Sequence, residues 1–118
     1  MKVLLIDDEK AMVSALAERL SFRDVHAKWV TCGKDAIALL SENHFDVLVL
    51  DVKMPGLSGL ETMEEIQKVK PESKIIFLTG HGSTSDREAC EKAGASSYLM
   101  KPVDIDVLIQ ELKGAMNS

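Results

Sequence analysis

Four short apolar runs constrain this chain most, because each is uninterrupted and each stops at a polar residue. Val3-Leu4-Leu5-Ile6 ends at Asp7-Asp8, and Val47-Leu48-Val49-Leu50 ends at Asp51. Ile75-Ile76-Phe77-Leu78 ends at Thr79, and Tyr98-Leu99-Met100 ends at Lys101. A strand with one wet face alternates apolar and polar residues, whereas a strand covered on both faces reads as a continuous apolar run. These runs therefore predict strands buried on both faces of a parallel sheet. A more mixed stretch, Val25 to Cys32, predicts an edge strand.

Helical patterns separate the runs: Ala11 to Leu20, Asp35 to Leu40, Leu60 to Val69, Ser85 to Ala93 and Ile105 to Met116. Ser58 and Asp104 are suited to N-caps, Pro71 to ending the third helix, and Gly94 to closing the fourth. The intervals from Asp51 to Thr79 and from Thr79 to Lys101 both exceed the roughly twelve residues of a parallel crossover. The expected architecture is (βα)5: a doubly wound, five-stranded parallel sheet of order 2-1-3-4-5 with helices on both faces. The order reverses between the first and third strands, and ligands of such sheets bind outside the carboxyl ends at that point. Asp7, Asp8 and Asp51 are expected to stand there together. No internal repeat or linker interrupts the chain, so residues 1–118 are expected to form one domain.

Composition narrows the chemistry. A net charge of −5, with no basic stripe, argues against direct nucleic-acid binding. No apolar run approaches the ~20 residues of a membrane span, and the amino terminus lacks a signal-peptide core. A cytoplasmic protein with Cys32 and Cys90 as reduced thiols is the resulting expectation. His26, His44 and His81 have no ligand spacing, so no zinc site is expected. Trp29 is assigned to packing on the second strand.

Any one aspartate at a strand end reads most simply as a cap of the next helix. Three together repel: one like-charged pair at about 4 Å costs about 4 kcal/mol at an effective dielectric near 20. A cation or a proton relieves that repulsion, and magnesium suits a site of one or two carboxylates completed by water and phosphate. A lysine and a hydroxyl beside the carboxylates point to a bound phosphoryl group.

Leu5-Ile6-Asp7-Asp8-Glu9, Leu50-Asp51-Val52-Lys53-Met54-Pro55-Gly56, Leu78-Thr79-Gly80-His81-Gly82 and Tyr98-Leu99-Met100-Lys101-Pro102 closely resemble the receiver domain of two-component response regulators. The wording is most similar to receivers of enhancer-binding transcription activators. The resemblance implies a flavodoxin-like fold and a signalling switch rather than a turnover enzyme. It implies that Asp51 accepts a phosphoryl group from a sensor histidine kinase or phosphotransfer protein. Asp8, Asp51 and the backbone carbonyl of Lys53 would bind Mg2+ (or Mn2+), with Asp7 acting through a water. Thr79 and Lys101 would hold phosphoryl oxygens, Tyr98 would be the aromatic switch, and Lys53 and His81 would modulate phosphoryl lifetime. It further implies a cis Lys101–Pro102 bond and kinase docking on the first helix around Ala11, Ser14, Ala15 and Glu18. A changed surface of the fourth helix, fifth strand and fifth helix would then control an output domain, a partner protein or a phosphorylation-dependent homodimer. Gly56 and Gly80 are expected to keep the loops open to close backbone approach.

Three other readings share parts of this pattern. A Mg2+-dependent aspartyl phosphohydrolase needs a second acid two residues after its nucleophile, where Lys53 stands. A flavodoxin-like nucleotide binder would place phosphate against Asp7-Asp8-Glu9, which repel it. A scaffold that is never phosphorylated leaves Asp51, Thr79 and Lys101 without a purpose.

Overall fold

The computed structural model describes residues 1–118. Five strands alternate with five helices: β1 (Lys2–Ile6), α1 (Lys10–Ser21), β2 (His26–Val30), α2 (Gly33–Leu40), β3 (Val47–Leu50), α3 (Gly59–Val69), β4 (Lys74–Thr79), α4 (Thr84–Lys92), β5 (Ser97–Met100) and α5 (Ile105–Met116). All neighbouring strands are parallel, in the order β2-β1-β3-β4-β5. The expected order and the edge position of β2 are both found.

The continuity of the apolar runs follows from two cores, one on each face of the sheet. Val3, Leu5, Val47, Val49, Ile76 and Leu78 point to one face and pack under α1 and α5. Leu4, Ile6, Leu48, Leu50, Ile75 and Phe77 point to the other, under α2, α3 and α4. Successive side chains of a strand face opposite ways, so every residue of these runs needs to be apolar. The two edge strands are less covered: β2 has no buried residue, which explains its mixed sequence, and β5 buries only Tyr98, which corrects the two-sided burial expected of the Tyr98-Leu99-Met100 run.

Helix ends follow local chemistry. Ser58 and Glu61 form a reciprocal capping box at the start of α3. Ser83 and Asp86 form another at α4, and the Asp104 side chain accepts from the Asp106 amide at α5. Gly94 follows α4 with φ of 100°, in the left-handed region that suits glycine. The second helix begins at Gly33, earlier than its apolar pattern shows, because the bare Gly33 backbone packs onto Thr62 of α3. Lys10, at the start of α1, lies 5.9 Å over the ring of Trp29 on β2. No helix is long and apolar enough to cross a membrane, and both cysteines are free.

Candidate functional site

Backbone pairing carries the polar strand ends to one rim. The Asp51 amide donates to the Ile6 carbonyl at 3.0 Å, and the Lys101 amide donates to the Thr79 carbonyl at 2.9 Å. Beyond β3 the chain turns sharply. The Gly59 amide donates to the Val52 carbonyl at 2.8 Å, and a Cβ at Gly59 would fall 2.1 Å from the Asp51 carbonyl oxygen. Only glycine lets the start of α3 lie this close to the Asp51 backbone.

Carboxylate oxygens of Asp7, Asp8 and Asp51 lie within 4.8 Å of one another. Asp7 and Asp51 are buried, whereas Asp8 faces solvent. Lys101 reaches in from β5: its Nζ is 2.6 Å from Asp7 Oδ2, 3.6 Å from Asp51 Oδ2 and 3.4 Å from Glu9 Oε1. The Lys101–Pro102 bond is cis. Asp51 is only 3% exposed, and its Oδ1 has no hydrogen-bond partner. Burial pushes the Asp51 pKa above the ordinary carboxylate range, and the Asp7 charge adds to this. The Thr79 hydroxyl, the Lys101 ammonium and the Lys53 backbone amide oppose the rise without cancelling it. For Lys101, burial lowers the pKa, but the surrounding acids, led by the hydrogen bond to Asp7, outweigh it and leave the value raised. The site is thus an oxygen-lined cleft holding one orphaned carboxylate oxygen and one firmly charged lysine. Hard oxygen donors of this kind, carrying more negative than positive charge, fit a divalent cation.

The other expected residues surround this centre. Thr79 is fully buried, and its Oγ1 accepts a hydrogen bond from the His81 amide at 3.3 Å. The His81 side chain is exposed. Lys53 extends across to α4, where its Nζ is 3.8 Å from Asp86 Oδ2. Tyr98 is already inside, 8% exposed, with its hydroxyl buried and unpartnered. Its ring packs against Phe77 at 6.3 Å and lies under the Arg87 guanidinium at 5.8 Å.

One expectation about glycine is corrected. Gly56 has φ of 76°, which favours glycine, but a Cβ there would meet nothing within 4 Å, and one at Gly80 would make only ordinary contact with Lys101. The close approach belongs to Gly82, where a Cβ would fall 1.5 Å from the Tyr98 hydroxyl and 2.9 Å from Thr79 Cγ2. Sequence reasoning also passed over Glu9, Asp86 and Arg87. Only Asp86 carried a local signal, the Ser83-Thr84-Ser85-Asp86 capping pattern.

A family model described as the response regulator receiver domain matches residues 3–113. The chain belongs to that family. The receiver is 33% identical over 114 residues to the transcriptional regulatory protein GlrR of Escherichia coli (strain K12), covering 97% of this chain and 26% of that protein. It is 33% identical over 116 residues to the response regulator MprA of Mycobacterium avium (strain 104), covering 98% of this chain and 51% of that protein. The receiver therefore spans about a quarter to a half of the curated relatives it matches. Among solved structures, a response regulator receiver domain protein from Clostridium thermocellum matches with a TM-score of 0.92 at 33% identity, covering 98% of this chain and 94% of that one. Receivers are phosphorylation-dependent signalling switches that work with histidine kinases and output domains.

Proposed function

We propose that this receiver accepts a phosphoryl group on Asp51 from a phosphohistidine and uses it to change the surface formed by α4, β5 and α5. The observation that carries the reading is the buried Asp51 carboxylate, with Oδ1 unpartnered, ringed by Asp7, Asp8, Thr79 and Lys101. An Asp51 oxygen attacks phosphorus, the P–N bond breaks, and the imidazole nitrogen leaves with the electron pair and takes a proton from solvent. Phosphoryl transfer asks a protein mainly for positioning and charge neutralisation. Asp8, Asp51 and the Lys53 backbone carbonyl would hold a magnesium or manganese ion, with Asp7 acting through a water. Bound there, the ion supplies positive charge to the transferring oxygens. Lys101 supplies a second positive charge, and Thr79 supplies a hydroxyl donor.

The switch is a population shift. Moving a two-state equilibrium from 1:99 to 99:1 takes about 5.5 kcal/mol. Two charge-assisted hydrogen bonds at about 1.5–3 kcal/mol each, from Thr79 and Lys101, cover most of it. Thr79 Oγ1, which accepts from the His81 amide, would donate its hydroxyl hydrogen to the phosphoryl group. That couples the site to the β4–α4 loop, and through Gly82 to Tyr98. The partners implied are a sensor histidine kinase or phosphotransfer protein docking on α1, and an output domain, effector protein or second copy reading the α4, β5 and α5 face. A cytoplasmic setting suits these partners.

Incubation with acetyl phosphate and Mg2+ tests the chemistry by intact mass. The chain should gain one phosphoryl group, and Asp51→Asn should not; an inert parent chain, or an equally labelled Asp51→Asn, removes the reading. Thr79→Ala tests the switch separately. It should still accept phosphate yet show no phosphorylation-dependent change in partner binding or self-association.

A further inference from the structure

The one cation on the loop leaving Asp51, Lys53, pairs with a residue of α4. Lys53 Nζ lies 3.8 Å from Asp86 Oδ2 on the first turn of α4, across a groove lined by Val52, Met54, Pro55 and Leu60. Asp86 is the fixed member of the pair. The same Oδ2 accepts the Ser83 amide at 3.1 Å, and the Asp86 amide donates to the Ser83 hydroxyl at 3.1 Å. Lys53 is the more exposed member, with a side chain 59% exposed against 29% for Asp86. The charges divide the same way. Asp86 is held below the usual carboxylate range by the Ser83 amide first, then by the Ser83 hydroxyl and the Lys53 ammonium. Among the leading influences on Asp51, Lys53 acts through its backbone amide.

We propose that Asp86 is a positioning residue for Lys53, holding the ammonium on α4 and thereby shortening the life of a phosphoryl group on Asp51. The proposal rests on Asp51 being the acceptor. A phosphorylated Asp51 carries added negative charge two residues from Lys53 and competes with Asp86 for it. Hydrolysis requires a water oxygen to bond phosphorus as the P–O bond to Asp51 breaks. The electron pair stays on the Asp51 carboxylate, and the water's proton passes to solvent. An ammonium paired with the phosphoryl oxygens on their solvent side obstructs that approach. Asp86 draws it off and leaves the approach open.

The test phosphorylates the purified chain with acetyl phosphate and Mg2+, removes the donor, and follows loss of the phosphoryl mass. Asp86→Asn keeps an oxygen for the Ser83 amide and removes the charge. Its phosphoryl group should last about two- to fivefold longer, the range expected when one exposed ion pair is lost. Asp86→Glu should restore the parental decay. Ser83→Ala weakens the helix cap while leaving the charge, so its decay should match the parent. In a Lys53→Met background, Asp86→Asn should have no further effect. Parental decay in Asp86→Asn overturns the proposal, as does equal slowing with Lys53 absent or equal slowing by Ser83→Ala. A parent chain that takes no phosphoryl group overturns the acceptor reading instead, and this one with it.

Discussion

Tyr98 is the only tyrosine of the chain, so phenolate absorbance reports on one side chain. Burial, reinforced by the nearby Asp86 carboxylate and partly offset by Arg87, raises its pKa above the ordinary phenol value. Gly82→Ala places a methyl group where the Tyr98 hydroxyl now sits. The ring is the movable partner, so it should swing into solvent, and the absorbance titration should move back down toward about 10. An unmoved titration would mean that the loop, not the ring, yields. Asp51 makes a second prediction at this scale. Its folded-state pKa is raised by burial and by Asp7, so its contribution to stability is present below the unfolded carboxylate value and is lost as pH rises through the folded one. In metal-free buffer at neutral pH, Asp51→Asn should therefore unfold at a higher temperature than the parent, at about 4 °C per kcal/mol gained. The gap should close as pH falls toward about 4, where the unfolded carboxylate also protonates.

Helix caps and strand burial decide how much of each element was legible. The two-sided burial of β1, β3 and β4 leaves no room for a polar residue, so the amino-acid pattern states it directly. Ser58 and Asp104 were legible because capping needs only the residue itself and the amides two or three positions on. Replacing Ser58 with Ala should cost about 1 kcal/mol in urea unfolding, with phosphorylation retained. The start of α2 was not legible, since it depends on Gly33 meeting Thr62 from another helix. The inward Tyr98, the Lys53–Asp86 pair and the Glu9–Lys101 contact were hidden for the same reason. Each joins side chains from segments whose separation in sequence says nothing about rotamer. The rim itself was legible because strand order alone gathers Asp7, Asp51, Thr79 and Lys101 there.

Across the whole molecule, the excess negative charge at that rim opposes folding unless something neutralises it. A ligand that binds only the folded state stabilises by mass action, about 2.7 kcal/mol at a hundred times its dissociation constant. Mg2+ should therefore raise the unfolding temperature of the parent and leave that of an Asp8→Asn, Asp51→Asn double variant unchanged; calorimetry with and without chelator checks both. Two separate cores share one sheet, so Leu108→Ala on α5 and Ile66→Ala on α3 should each cost about 2–5 kcal/mol and add almost independently. The contact between Lys10 and Trp29 joins the edge strand to the residue that follows Asp7-Asp8-Glu9. Because the chain has a single indole, whatever tightens or loosens that acidic turn should shift the emission of one fluorophore, and the protein carries its own optical gauge of occupancy without a dye.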